Sequence, residues 1–183
     1  MTCIVGIKEK NKVYIGGDSA AVADLSVSVR TDTKVFKNGK FLIGYAGSFR
    51  LGQIMRFHFK PPKHEKGKSD YEYMCVDFIK KMQKTFAENG FDGENRRQEK
   101  QTSGQMLVAY RGELYEIYED YQVGISADPY NSIGCGSDLA LGALYTLHKA
   151  VPKMPAEQKV AIALDAASTY SGGVLPPYNI LSV

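Results

Sequence analysis

The chain has 183 residues, a formal charge of +3, 44% hydrophobic residues and three cysteines. That length can bury one sizeable core, so a single domain over residues 1–183 is expected, and a small charge with lysines scattered among acids argues against nucleic acid as a partner. Cys3, Cys75 and Cys135 form no C-x-x-C pair, no apolar run approaches the roughly 18 residues that span a bilayer, and no basic-then-apolar leader opens the chain; a cytoplasmic protein with no membrane partner is expected.

Cys3 to Ile7 and Val13 to Ile15 are short apolar runs flanking Lys8-Glu9-Lys10-Asn11-Lys12, the pattern of a β-hairpin, with Asp18 at its far end. Val22 to Val29 alternates small and apolar residues. Asn38-Gly39, between Thr33–Lys37 and Lys40–Tyr45, predicts a second hairpin because both turn residues tolerate positive φ. Ser48 caps a helix predicted over residues 48–58, with Leu51, Ile54, Met55 and His58 at helical spacing and Pro61-Pro62 beyond. Lys60 to Lys68 holds four lysines and two prolines, which predicts a solvated loop flanked by His58 and His64.

Ser69-Asp70-Tyr71-Glu72 is a capping-box pattern. Behind it Tyr71, Met74, Cys75, Phe78, Ile79, Met82 and Phe86 share one helical face, read as core, and Asn89-Gly90 supplies a left-handed stop. Residues 91–103 read as an exposed loop. Strands follow at Met106–Tyr110 and Leu114–Tyr118 around Arg111-Gly112. Gly134-Cys135-Gly136-Ser137 leads into a helix with Ala140, Leu144, Leu147 and Val151 on one face; it lacks the Lys-Ser/Thr of a P-loop and the dinucleotide fingerprint, so no nucleotide, other cofactor or metal is expected. Pro155 opens a last helix from Ala156 to about Thr169, and Asn179–Val183 is strand-like. The element order alone yields an α+β fold.

Thr2, Gly17-Asp18, Lys34-Val35 and Ala46-Gly47 carry a joint spacing that resembles the proteasome-like N-terminal-nucleophile hydrolases, most closely their bacterial HslV-type branch. The likeness is strongest over residues 2–57 and returns at Gly134-Cys135-Gly136-Ser137 and Tyr170-Ser171-Gly172-Gly173. It implies a four-layer αββα sandwich of two antiparallel sheets. It further implies a threonine-type endopeptidase acting on polypeptides and a homo-oligomeric ring, and it allows a regulatory ATPase partner.

Peptide hydrolysis needs a nucleophile, a base near neutral pH and donors for the oxyanion. Removal of Met1, favoured by the small residue behind it, would leave Thr2 with both a hydroxyl and an α-amine, whose ordinary pKa of about 7.7–8.0 suits a general base. The resemblance implies that Lys34 lowers the proton affinity of this pair, that Asp18 holds Lys34, and that the Gly47 N–H serves the oxyanion. Ser171 matches the family's serine. Tyr45 and Phe36 are expected to line the pocket for the residue preceding the cleaved bond and to favour small or medium side chains. Two positions depart from the proteasome branch: Cys135 stands where it has serine, and Ser168 where it has an acid, both neighbours of the terminal amine. With no histidine near it in sequence, Cys135 reads as a packed thiol. The departures leave open a decayed ring-forming relative, and an amide hydrolase of narrower substrate class stands beside the peptidase.

Overall fold

The computed structural model describes residues 1–91 and 104–183. Strands β1 (Cys3–Glu9) and β2 (Lys12–Gly17) form the predicted hairpin, and β3 (Ala20–Ala23) pairs with β4 (Ser26–Val29) in a ribbon with Leu25 fully exposed at its tip. The predicted Asn-Gly turn joins β5 (Val35–Asn38) to β6 (Phe41–Gly47), with Gly39 at φ 59°. Ser48 caps α1 (Phe49–Phe57), its hydroxyl accepting from the Arg50 N–H at 3.2 Å. A single helix then runs through α2 (Asp70–Tyr73), one π-turn at Met74–Phe78, and α3 (Ile79–Glu88). Strands β7 (Gly104–Tyr110), β8 (Glu113–Ile117), β9 (Val123–Ile125) and β10 (Tyr130–Gly134) precede helices α4 (Ser137–Ala150) and α5 (Ala156–Tyr170) and the final strand β11 (Asn179–Ser182).

Two antiparallel sheets, ordered β10-β1-β2-β11 and β5-β6-β7-β8-β9, stack face to face. Alternation along each strand divides the apolar residues among three cores. Ile4, Ile15, Val35, Leu42 and Leu107 meet between the sheets. Val5 and Ile7 turn outward to Leu144, Val160 and Leu164 of α4 and α5, while Ile43 and Val108 turn to Ile54, Phe78 and Met82 on the other helical layer. The result is the four-layer αββα sandwich, α4/α5 on one side and α1 to α3 on the other.

The sequence reading needs correction at four places. The predicted stripe on the second helix assumes 3.6 residues per turn throughout; the π-turn adds a residue, so Tyr73 enters the core while Tyr71 is half exposed. The loop at 60–68 is not wholly solvated: the His64 ring stacks on Tyr73 at 4.5 Å, donates from Nε2 to the Lys68 carbonyl at 2.8 Å and lies 3.0 Å from the Tyr110 hydroxyl. On α4 only Ala140 and Leu144 of the predicted face are buried, because the helix outruns the sheet beneath it and Val151 emerges into solvent. Strands β9 and β10 were not anticipated. Most of the predicted loop at 91–103 lies outside the described residues.

Candidate active site

Strand register assembles the site. In the β1–β2 ladder Ile4 faces Gly17, so the next pair outward is Cys3 and Asp18; in the β1–β10 ladder Cys3 faces Gly134, so the next pair is Thr2 and Cys135. Asp18 is buried and fully engaged. Its Oδ1 accepts from the Cys3 N–H at 2.9 Å and from Lys34 Nζ at 2.8 Å, and its Oδ2 accepts from the Ala20 N–H at 2.8 Å. Lys34 comes from the other sheet, one residue before β5, and the side chains of the pair are 2% and 0% exposed. Burial pushes the Lys34 ammonium below the usual lysine range, and the Asp18 charge opposes that shift. Burial also pushes the Cys3 thiol up to about 12, so Cys3 stays protonated and inert beneath the site.

Above this pair sits Thr2, 3% exposed, its N–H donating to Cys135 Sγ at 3.2 Å and its hydroxyl donating to the Met1 carbonyl. The Cys135 thiol, exposed and not packed as the sequence reading has it, in turn donates to the Thr2 carbonyl at 3.4 Å and lies 3.9 Å from Ser171 Oγ at the end of α5. A cavity of about 240 Å³ opens over Thr2, bordered by Met1, Gly47, Gly104, Gly134 and Cys135, with Gln105 and Glu119 on its wall. Two glycines make this approach possible. Gly134 has φ 93°, and a Cβ there would lie 2.3 Å from the Thr2 carbonyl oxygen; Gly47 ends β6 at φ 117° and leaves its backbone open to the cavity.

Thr2, Gly47 and Cys135 therefore share one cavity, Asp18 and Lys34 lie buried beneath the Thr2 strand, and Ser171 reaches the group through Cys135. The other two candidates lie apart from this cavity. Phe36 packs in the core between β5 and α1 under the Arg56 guanidinium, 4.6 Å from its ring, and does not border the cavity over Thr2. Tyr45 is buried against Gly52 of α1 and borders a separate cavity of about 70 Å³ with Asp32, Thr33, Gln53, Arg56 and Phe57. Ser168, near the end of α5, lies beside the Tyr178 phenol. Gln105 and Glu119 escaped the sequence reading: Glu119 sits in the β8–β9 turn, and no local pattern ties that turn to Thr2. Among the described residues no cluster of three or more His, Cys, Asp or Glu could hold a metal ion.

The family model for proteasome subunits matches residues 1–172. The chain belongs to the proteasome subunit family. Its fold is similar to that of Thiobacillus denitrificans BPH, solved in complex with epoxomicin, at a TM-score of 0.82 and 16% identity over 100% of this chain and 98% of that one. A second structure of the Thiobacillus protein gives 0.82 at 18% identity, covering 100% and 97% of the two chains. HslV from Trypanosoma brucei gives 0.70 at 19% identity, covering 99% and 98%. No curated protein matches the chain by sequence. Membership in the proteasome subunit family supports, in general, peptidase chemistry of the N-terminal-nucleophile kind.

The buried ion pair yields a direct test of the architecture beneath Thr2. Asp18→Asn or Lys34→Met each strands one charge in the interior, at a cost of about 3–5 kcal/mol. The double variant Asp18→Asn/Lys34→Met removes both charges, so its loss should fall well short of the sum of the singles. Urea unfolding of the four proteins measures this; additive losses would show that the two residues do not act as a pair.

Proposed function

We propose that this protein is a threonine-type endopeptidase whose nucleophile is the Thr2 hydroxyl and whose general base is the Thr2 α-amine, set free when Met1 is removed. The observation that carries the reading is the joint position of Thr2: at the floor of a cavity with Gly47, 3.2 Å from a thiol at its nitrogen, above a buried lysine held by an aspartate. The amine takes the hydroxyl proton as Oγ1 attacks the substrate carbonyl carbon, and the Gly47 N–H receives the oxyanion. Collapse expels the amine fragment, which leaves with the proton from the Thr2 ammonium. Water, deprotonated by the same amine, then cleaves the ester and restores Thr2. Lys34 lies outside the hydrogen-bond chain and acts through its charge, lowering the proton affinity of the amine and hydroxyl, while Asp18 keeps it charged despite burial. Cys135 and Ser171 orient the amine. A decayed relative is the second reading, favoured by Ser168, which stands where the family has an acid.

Three outcomes follow from this assignment. Thr2→Ala, an uncleavable N-terminal extension and Lys34→Ala should each abolish peptide hydrolysis. Cys135→Ala should keep measurable turnover, and Thr2→Ser part of it. Intact mass with and without epoxomicin, the ligand of the Thiobacillus complex, reports Met1 removal and adduct formation. Full activity in the extended or Thr2→Ala protein would sink the assignment, and a retained Met1 with no adduct would favour the decayed relative.

Although the small cavity at Tyr45 is separate from the one over Thr2, the family resemblance puts the pocket for the residue preceding the cleaved bond at Tyr45, and specificity is proposed on that ground. With Phe36 packed nearby at a ring separation of 6.5 Å and only about 70 Å³ open, the residue preceding the cleaved bond should be small or medium and apolar. Bulky aromatic residues should be disfavoured by about 1–3 kcal/mol, roughly five- to 150-fold in kcat/KM. Peptide profiling that returns Phe or Trp as preferred overturns this.

The chain should also assemble as a homo-oligomeric ring. Phe57, Val76, Tyr145, Ile162 and Tyr170 expose large apolar surface on both helical layers, and an assembly would cover it. The free cysteines Cys3, Cys75 and Cys135 suit a reducing cytoplasm, and nothing in the mechanism requires a regulatory ATPase. Light scattering should report an oligomer at micromolar concentration; monomers alone would contradict the ring.

A further inference from the structure

At the end of β1 away from Thr2, about 20 Å along the strand, the β1–β2 turn, the last turn of α4 and the start of α5 enclose a second cavity of about 240 Å³. Its apolar walls are Ile7, Tyr130, Leu144 and Ala156, all buried. Lys159, on the first turns of α5, also lines it and is itself 7% exposed. A buried ammonium needs compensation. The Lys159 ammonium donates to the Pro152 carbonyl at 3.1 Å, and among the described residues no carboxylate lies within ion-pair distance of it. An ammonium has three N–H donors, so two remain for a ligand.

The other charges around the cavity are already partnered or add to its positive sign. Lys8 is neutralised by Glu113 at 2.7 Å, and Glu113 is not part of the lining. Glu9 accepts from the Ala156 N–H at 3.2 Å and so caps the first turn of α5. Lys10 stands at the hairpin turn with φ 57°, and His148 lies with its ring 5.7 Å from Tyr130. With Lys8 neutralised, Lys10 and Lys159 face one glutamate, and that glutamate is already engaged at the start of α5.

We propose that this cavity is a binding site for a small organic carboxylate, its charged end on Lys159 and its apolar body between Ile7, Tyr130 and Leu144. A bare inorganic anion would leave the apolar walls unused, and a neutral ligand would leave the buried ammonium uncompensated. The site is independent of the chemistry at Thr2, and binding is measured without reference to peptidase activity.

The test is ligand-observed NMR and calorimetry on the full chain with 4-phenylbutyrate, beside its uncharged amide. The carboxylate should bind, and the amide should bind at least about tenfold more weakly, as loss of one charge-assisted hydrogen bond implies. Lys159→Met, which keeps the aliphatic stem, should weaken 4-phenylbutyrate by a similar factor, while Lys40→Met, outside the cavity, should change nothing. Should Lys159→Met fail to fold, the comparison of acid and amide on the wild-type chain decides alone. Equal binding of acid and amide, no binding of the acid at 10 mM, roughly tenfold above a 1 mM dissociation constant, or full affinity in folded Lys159→Met overturns the proposal.

Discussion

The buried pair of Asp18 and Lys34 is the constraint on which the site end of this fold depends. Asp18 directly follows β2 and Lys34 directly precedes β5, strands of different sheets, and each charge would be costly in the interior by itself. What offsets the cost is the number of donors that converge on one carboxylate: an ammonium and two backbone N–H groups, from Cys3 and Ala20. Those amides belong to the strand that starts behind Thr2 and to the residue that opens β3. The ion pair therefore does more than neutralise. It fixes where β1 begins, how β2 leaves the sheet, and how the second sheet stands over the first. Asn179 adds a weaker tie of the same kind, its side-chain amide donating to the Val35 carbonyl at 3.0 Å.

From that anchor the rest is a matter of register. Antiparallel pairing sets Cys3 against Asp18 on one side and Thr2 against Cys135 on the other, so a slip of one residue in either ladder would send Thr2 to the opposite face. Both faces of β1 are buried, Val5 and Ile7 against the helices and Ile4 between the sheets, which makes such a slip expensive. The geometry of the candidate site is thus held by apolar residues that take no part in its chemistry.

This division explains what the sequence disclosed. Hairpin turns and caps are local: Asn38-Gly39 and the Ser69 cap, whose hydroxyl accepts from the Glu72 N–H at 3.1 Å, depend on neighbouring residues alone and were legible. Asp18 and Lys34 were legible only through a family spacing, since no periodicity reveals that residues 16 apart will meet across two sheets. The π-turn was not legible, because apolar residues at 71, 74, 75 and 78 fit an ordinary helix equally well; the choice of Tyr73 over Tyr71 as the buried ring is made by Phe41 and Tyr110, which stack against Tyr73's face of the helix. Glu119 reaches the cavity from a turn between two short strands, and β9, at three residues, is too brief to declare itself by alternation.

The departure at Cys135 gains meaning from the state of the Thr2 nitrogen. While Met1 is attached, that nitrogen is a peptide N–H whose lone pair is delocalised, so it can only donate, and it donates to sulfur. The Met1 side chain meanwhile lies against Gly173, where a Cβ would stand 2.3 Å from its own, and the Met1 carbonyl holds the Thr2 hydroxyl. The Thr2 hydroxyl and nitrogen, the two groups of the proposed mechanism, are thereby both engaged by the residue ahead of them. Once that residue is gone the nitrogen can also accept, and the same thiol becomes a donor able to face it. Sulfur is a weaker partner than a hydroxyl in either role, so the thiol holds the amine by position more than by strength. Orientation must then come largely from the strand itself, which returns the burden to Asp18 and its bond to the Cys3 amide.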